Sequence, residues 1–285
     1  MRNVYKRALV ALGSVGLLTA CTNNPITPHS GESTSQGAES GWMKLISSNA
    51  INKELAEVNL QEVSNTLIIE NAVGNIEIRR SEDTGLRVRT TFQALNNRSG
   101  ESTLEELAQN AEVSLITKGK KSSVQIHPKG QDGTDLWSWA DKNLGNSHFT
   151  VNYVVEVPSH VAEYEISTEV GNISLTGLKG SYDVSNNAGS IDLAELEVDG
   201  KSSVKSDAGT IRLDLNNLGD GSQLKVSTEV GTVKALIPSN LSYTLKTETD
   251  LGTVSGAAKG RTDVLGGGPQ LSIKTSVGSI TVENK

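Results

Sequence analysis

The sequence predicts a mostly β fold in which short strand repeats stack into a solenoid. A six-residue pattern centred on glycine recurs seven times between residues 71 and 280, and apolar residues alternate with a period of two around it. Aromatic residues make up only 4% of the chain, whereas glycine accounts for 28 of its 285 residues. The core must therefore be built from aliphatic and β-branched side chains.

Each repeat reads small polar, any residue, apolar, Gly, small polar, then Ile or Val. The repeat glycines are Gly74, Gly171, Gly189, Gly209, Gly231, Gly252 and Gly278. An Ile or Val stands five residues before the glycine in every copy except the sixth, where Leu245 is displaced by two positions. We expect each glycine to supply a positive φ or a close backbone approach at a corner between two strands, with the small polar residues bonding the bend locally.

The spacing of these glycines, 18 to 26 residues from Gly171 onwards, suits one solenoid coil per repeat. A single coil cannot bury its apolar side, but stacked coils share one continuous core. A gap of 97 residues separates Gly74 from Gly171. Its patterns predict strands at 86–92, 113–117, 124–126 and 149–157, and a helix at 102–111 with a capping box formed by Ser102 and Glu105. We interpret residues 81–160 as an inserted strand–helix–strand module that caps the N-terminal end of the solenoid.

The N-terminus has the pattern of an export signal. Arg2, Lys6 and Arg7 precede an apolar run at 8–18 that is too short to span a bilayer, which at 1.5 Å per residue needs about 20 residues. The run ends in Leu18, Thr19, Ala20 and Cys21, which resembles the lipobox of bacterial lipoproteins. That resemblance implies a signal peptide at 1–20, cleavage before Cys21 and a membrane anchor of acyl chains on Cys21. The alternative is an ordinary secretory signal with a chance cysteine.

Residues 21–41, rich in Ser, Gly, Thr and Pro, predict a flexible tether, followed by a short connecting segment at 42–60 and the repeat domain at 61–285. The chain carries a formal net charge of −7, and cleavage before Cys21 would remove three basic residues and no acidic ones. This acidity argues against nucleic acid as a partner. The single cysteine excludes an internal disulfide and a cysteine-based metal site. We expect no cofactor and no metal.

No catalytic constellation stands out. The four histidines, His29, His127, His148 and His160, lack the spacing of a helical zinc pair. Carboxylates recur two residues before the repeat glycine as Glu169, Asp207, Glu229 and Asp250, and a row of them could collect Ca²⁺ or cationic ligands. The other interpretation is a solvated edge that keeps the sheet soluble.

The polar stretch 128–147, interpreted as a loop, contains Trp137 and Trp139. Two tryptophans at this spacing could stack on sugar rings or lie at a membrane interface, which makes them the candidate ligand surface. They could equally form a plug over the open end of the solenoid core.

The Val/Ala-Gly-Asn/Ser-Ile repeats, preceded by one Glu/Leu-rich helix and a strand ending in Val157-Pro158, resemble the bacterial putative-adhesin family, a domain of unknown function. The resemblance covers roughly Glu62 to Asn284. It implies a right-handed single-stranded β-helix, a place outside the cytoplasm and no established catalytic residues; some members accompany envelope-stress genes. We therefore expect a non-enzymatic protein, lipid-anchored at the cell membrane or outer membrane, whose β-helix binds an envelope protein or glycan. The alternative is a polysaccharide-acting β-helix enzyme, which needs titratable side chains converging in a groove.

Overall fold

The computed structural model describes residues 51–95 and 100–285, which are mostly β. They form 17 strands and two helices, and the strands join into one large mixed sheet that does not close on itself. No helix in this part of the chain is long and apolar enough to cross a membrane. The predicted signal peptide, the lipobox with Cys21, and the tether lie outside the described residues.

The first part of the fold contains both helices. In chain order its elements are β1 (Asn52–Glu54), β2 (Val58–Leu60), β3 (Thr66–Val73), β4 (Ile76–Arg80), β5 (Leu86–Ala94), α1 (Glu101–Asn110), β6 (Ala111–Lys118), β7 (Lys121–Pro128), α2 (Leu136–Leu144) and β8 (Phe149–Val157). The rest is strand only: β9 (Glu163–Val170), β10 (Ile173–Thr176), β11 (Lys179–Ala188), β12 (Ile191–Val198), β13 (Lys201–Leu218), β14 (Gln223–Ile237), β15 (Tyr243–Ser255), β16 (Gly260–Val264) and β17 (Gln270–Asn284).

Each repeat forms one rung, defined here as the strand segment before a repeat glycine together with the segment after it. The rungs pair in parallel and in register, with aliphatic residues above aliphatic residues: Ile76 pairs with Ile173, and Ile173 with Ile191. Such columns are fully buried along the stack, as Ile69, Ile166 and Val184 show. Each buried aliphatic side chain contributes about 1.5–3 kcal/mol, so the core needs few aromatic residues.

The last two rungs do not follow chain order. From the N-terminal end, the glycines stack as Gly74, Gly171, Gly189, Gly209, Gly231, Gly278 and Gly252. Strand β17 lies between β14 and β15, because the chain turns back through β16, which pairs antiparallel with the first half of β15. The sixth repeat lacks the usual aliphatic residue at its inner position, where Thr247 donates a hydrogen bond to the Ala258 carbonyl (2.7 Å). The rung with this weaker apolar pattern, formed by β15, therefore lies at the end of the stack. Strand β17, whose apolar pattern is complete, lies inside the stack.

The N-terminal end of the stack is covered by antiparallel strands. β8 pairs with β4 and is covered by β5, while β7 pairs with β3 and is covered by β6. The described part of the expected connecting segment contributes β1 and β2, both of which pair with β5.

Two local predictions in this region were wrong. Helix α1 begins after Gly100, which has no side chain, so the capping box of Ser102 and Glu105 is not formed. The stretch interpreted as a loop contains α2, whose N-cap Asp135 accepts a hydrogen bond from the Ser138 backbone N–H (2.8 Å). Gly145 ends α2 in the left-handed conformation, with φ of 64°. Capping at both ends stabilises this short helix within a polar sequence.

Candidate binding surface

The repeat glycines form a column at one corner of the stack, and their backbone geometry excludes a side chain. Their φ values lie between 132° and 155°. A Cβ on Gly189 would lie 2.8 Å from the carbonyl carbon of Gly171 in the rung before it and would collide with the carbonyl oxygen. The same collision recurs at each rung, and at Gly74 the opposing carbonyl belongs to Val151 of β8. Neighbouring rungs thus approach at this corner as closely as their backbones allow.

A row of buried polar side chains lies three residues before each glycine. Its members are Asn71, Thr168, Asn186, Ser206, Thr228, Thr275 and Thr249. Where these side chains donate to a glycine, the bond crosses to the neighbouring rung: Asn186 Nδ2 donates to Gly171 O (3.3 Å), and Thr275 Oγ1 to Gly231 O (3.4 Å). These bonds join successive rungs, in addition to the local bonding that the sequence suggests, which Thr168 makes to the Val170 carbonyl (3.5 Å). A buried carbonyl gains a donor by this arrangement. The hydroxyls of Ser206, Thr228 and Thr249 have no hydrogen-bond partner among the described residues.

The residue immediately before each glycine faces outward, and these residues form an apolar stripe along the corner. In stacking order the apolar stripe is Val73, Val170, Ala188, Ala208, Val230, Val277 and Leu251. Its three consecutive large members at the C-terminal end are 57% (Val230), 46% (Val277) and 69% (Leu251) exposed. With about 4.8 Å between rungs, seven rungs make a stripe about 29 Å long.

The sequence contains these residues in every repeat, yet alternation alone assigns them to the wrong face. The positions five and three residues before the glycine are buried, so a period of two places the next position inside as well. The corner at the glycine turns that position outward. The recurrence of an apolar residue, valine, leucine or alanine, immediately before the corner glycine was the signal that could have revealed the stripe.

The carboxylates proposed to form an acidic row lie beside the apolar stripe but are not continuous. In stacking order Asn187 separates Glu169 from Asp207, and Ser276 separates Glu229 from Asp250. Asp207 and Glu229 are on adjacent rungs, and the Lys205 ammonium approaches both (2.8 and 3.6 Å). That lysine offsets half of the charge of the one adjacent carboxylate pair of the row and occupies the space between the two groups, so the row favours the solvated edge over a calcium site.

Asparagines flank the other side of the first rungs and join their backbones. Asn152 Oδ1 accepts from the Asn75 backbone N–H (2.9 Å), and Asn75 Oδ1 accepts from that of Asn172 (3.0 Å). Asn172 Oδ1 in turn accepts from Ser190 N–H (2.9 Å). Hydrogen bonds on the flank of the corner thus join the backbones of its first three rungs.

Trp137 and Trp139 are both half-buried on α2 and pack against the core. The Trp137 ring stacks on Phe149 at a centroid distance of 5.5 Å, and its indole N–H donates to Phe149 O (3.2 Å). One ring face and the only donor of Trp137 are therefore used within the protein. This packing favours the interpretation that the two tryptophans cover the core. The outer faces of the two rings remain available to a ligand.

A cluster of charges lies on the outer face of β4, β8 and β5. Glu156 Oε1 bonds to Arg79 and its Oε2 to Arg87 (2.7 Å), and the hydrogen bond from Arg79 holds the pKa of Glu156 below its ordinary value. Burial raises the pKa of Glu77, whose Oε2 has no hydrogen-bond partner among the described residues. Both oxygens of Glu156 are engaged by guanidinium groups, so it is poorly placed to act as a base or nucleophile.

Among the histidines, His127 is buried and faces two carboxylates. Its Nδ1 lies 3.6 Å from Glu112 Oε1 and its Nε2 3.5 Å from Asp132 Oδ1. Each ring nitrogen already has a closer partner: Pro128 O at 3.0 Å from Nδ1 and Ser114 Oγ at 2.9 Å from Nε2. One ligand atom from each of Glu112, His127 and Asp132 lies within 4.8 Å of the other two, so these side chains are close enough to share a cation. The closer partners of both ring nitrogens compete with that arrangement, because a metal ligand must offer a free lone pair. His160 Nε2 bonds to the Val63 carbonyl, and His29 lies outside the described residues.

Comparison with solved structures gives distant likenesses over most of the chain. A putative cell adhesion protein from Clostridium sporogenes is 14% identical, with a TM-score of 0.42, covering 81% of this chain and 99% of that one. A putative adhesin from Bacteroides fragilis is 14% identical, with a TM-score of 0.32, covering 82% and 97%. A putative lipid binding protein from Parabacteroides distasonis is 13% identical, with a TM-score of 0.28, covering 83% and 98%. No protein-family model and no curated protein matches the chain.

Proposed function

We propose that this chain is a non-enzymatic, lipid-anchored envelope protein that binds a protein partner through the apolar stripe. The observation that carries the proposal is the exposure of Val230, Val277 and Leu251 on three consecutive rungs. Contiguous, exposed large aliphatic side chains are typical of interaction sites, because their burial by a partner releases water. Aliphatic side chains offer no hydrogen bonds to sugar hydroxyls, so the stripe favours a protein over a glycan.

The scaffold that we propose for this surface is a right-handed, single-stranded β-helix, in which the glycine column is one corner. The parallel register of the rungs and the apolar columns beneath them support it. In such a scaffold the positions on the corner are spaced by the backbone hydrogen bonds rather than by side-chain packing. A partner therefore meets a fixed row of apolar side chains, flanked by carboxylates on one side.

The proposed anchor at Cys21 is tested by fractionation of cells. We expect the wild-type chain in the membrane fraction, and Cys21→Ser in the soluble fraction. Globomycin, which blocks the lipoprotein signal peptidase, is expected to cause accumulation of the uncleaved form. A wild-type chain recovered in the soluble fraction, or unaffected by globomycin, would rule out the lipid anchor and leave the stripe proposal unaffected.

The proposed partner surface is tested by crosslinking intact cells and recovering this chain with its partners. Val230→Lys/Val277→Lys is expected to abolish a defined protein partner, while a control with the same added charge, Ser203→Lys/Asn240→Lys, retains it. Loss in both variants, or in neither, would contradict the stripe. Trp137→Ala/Trp139→Ala tests the tryptophans of α2 as the alternative binding surface. Loss of a glycan or protein partner only in this variant would make α2 the binding site.

The non-enzymatic part of the proposal is supported by the engagement of Glu156 with Arg79 and Arg87. We expect no release of reducing ends from envelope polysaccharides incubated with the protein. Release that disappears in Glu77→Gln would overturn this part and favour the polysaccharide-acting alternative.

A further inference from the structure

The C-terminal end of the stack has an uncovered strand edge. On one side β15 pairs with β17 from Thr244 to Ser255, but on its other side β16 covers only Tyr243–Thr247. Lys259 Nζ donates to the Thr249 carbonyl (2.6 Å), so the uncovered part begins at residue 250. We call residues 250–255 of β15 the free edge; within the described part of the chain no strand pairs with their outer side.

The register of the repeats shows which backbone N–H groups of this edge have no neighbouring strand to bind. At the other end of the stack, Gly74 N–H donates to Val170 O and Ile76 N–H to Asn172 O of the next rung, both at 2.9 Å. The next pair of rungs repeats the same two bonds. The equivalent groups of the last rung are the N–H of Gly252 and the N–H of Val254. By this register both point away from β17, toward the place of a further strand.

The free edge also lacks the features that normally prevent pairing between edges. Strand β16 carries Arg261 and Asp263 on its exposed side, and such charges discourage pairing. The free edge, in contrast, runs Asp250-Leu-Gly-Thr-Val-Ser255 without a proline, lysine or arginine, and its one charged residue, Asp250, lies at its first position. Leu251, its second residue, is the most exposed large apolar side chain among the described residues.

We propose that the free edge pairs with the free edge of a second copy of this chain, forming a symmetric antiparallel dimer. A head-to-tail arrangement is disfavoured, because the N-terminal end of the stack is already covered by β5 and β8. With the twofold axis at Thr253, Gly252 of each copy faces Val254 of the other, and the two pairs exchange four backbone hydrogen bonds. β16 lies beyond the span that pairs and does not obstruct it.

Such a dimer has a consequence for the proposed function. The twofold axis of an antiparallel pair is perpendicular to the sheet, so both apolar stripes lie on the same face. Each stripe ends at Leu251 beside the axis, and the two stripes run on nearly in line. A dimer therefore doubles the length of the proposed binding surface. The dimer itself stands on the edge geometry and does not depend on the partner.

A disulfide at the axis tests this pairing. Residues on the axis form a non-hydrogen-bonded pair with Cα atoms about 4.5 Å apart, within the range that a disulfide bridges. The full chain in detergent solution, carrying Cys21→Ser so that the introduced thiol is the only one, is compared as Thr253→Cys and Thr210→Cys. Thr210 has the same place in an interior rung. We expect at least about tenfold more covalent dimer from Thr253→Cys under mild oxidation.

Val254→Pro provides a second test, because proline removes the outward N–H and leaves the bonds to β17 in place. In the Thr253→Cys background we expect it to reduce covalent dimer about tenfold.

Sedimentation of the Cys21→Ser chain without an introduced cysteine should show twice the monomer mass at high concentration. Circular dichroism verifies that each variant is folded. Equal crosslinking of Thr253→Cys and Thr210→Cys, or a monomeric mass at every concentration, would overturn the dimer. Crosslinking of Thr253→Cys only to another protein would overturn it as well.

Discussion

Replacing Gly189 with alanine tests the tight approach of the rungs at the glycine column. The φ of Gly189 is 132°, in a region that alanine rarely adopts, and this strain costs about 1–3 kcal/mol. The added Cβ would also lie 2.8 Å from the carbonyl carbon of Gly171. Pushing the rungs apart to relieve that collision costs about 1–3 kcal/mol more, as in other overpacked sites. Gly189→Ala is therefore expected to lower the free energy of unfolding by about 2–6 kcal/mol.

Gly177→Ala is the matched control. Gly177 also has a positive φ, 65°, but a Cβ there meets no atom within 4 Å. Its expected cost is the conformational strain alone, about 1–2 kcal/mol. Urea unfolding followed by circular dichroism measures both variants. With a slope of about 3 kcal/mol per molar urea, Gly189→Ala should shift the midpoint by about 1 M more than the control. Equal shifts for the two variants would refute the close approach of the rungs.

Three further predictions concern stability. Arg79 lowers the pKa of Glu156 from 4.5, so Glu156 stabilises the fold above that pH and this contribution is lost as the pH falls below it. Glu156→Gln should lower the free energy of unfolding by about 2 kcal/mol at pH 7. It should also flatten the fall in melting temperature between pH 5 and about pH 3, and an unchanged pH profile would contradict this. Burial raises the pKa of Glu77, which disfavours its ionised form, so Glu77→Gln should raise the melting temperature at pH 7 by about 2–4 °C, and a decrease would be the opposite result. Asn71 Nδ2 bonds to the buried Val151 carbonyl (2.8 Å), whereas the buried Thr228 hydroxyl has no partner in the described structure. Asn71→Ala should therefore cost about 1–3 kcal/mol in urea unfolding and Thr228→Val almost nothing, and equal costs would contradict that difference.

The repeat pattern was sufficient to predict the strands around each glycine, because a period of two and a fixed corner residue are local properties. It could not reveal the exchange of β15 and β17. That order depends on β16 turning back along β15, a contact between segments that the repeat pattern does not include. The sequence already showed that the sixth repeat has Thr247 where the other repeats have Ile or Val. The structure explains this difference, because the sixth repeat forms the last rung of the stack.

The candidate surface was harder to predict than the strands. Trp137 and Trp139 stood out in a chain with few aromatic residues, but the Trp137 indole packs on Phe149, a partner that composition cannot reveal. The apolar stripe was present in every repeat and was hidden by the alternation rule, which fails where the backbone turns at the glycine. The local turn of the chain, rather than residue type, decides which side chains of this corner reach solvent.

Site-specific photocrosslinking on intact cells tests most directly whether the apolar stripe contacts a protein partner. A photoreactive amino acid is placed at Val230, and in a control at Lys225, which is also exposed on β14. We expect one defined protein adduct from position 230, absent from position 225 and lost when Val277→Lys is added. An adduct from both positions, or none from position 230 while the protein is folded and present at the membrane, would contradict this expectation.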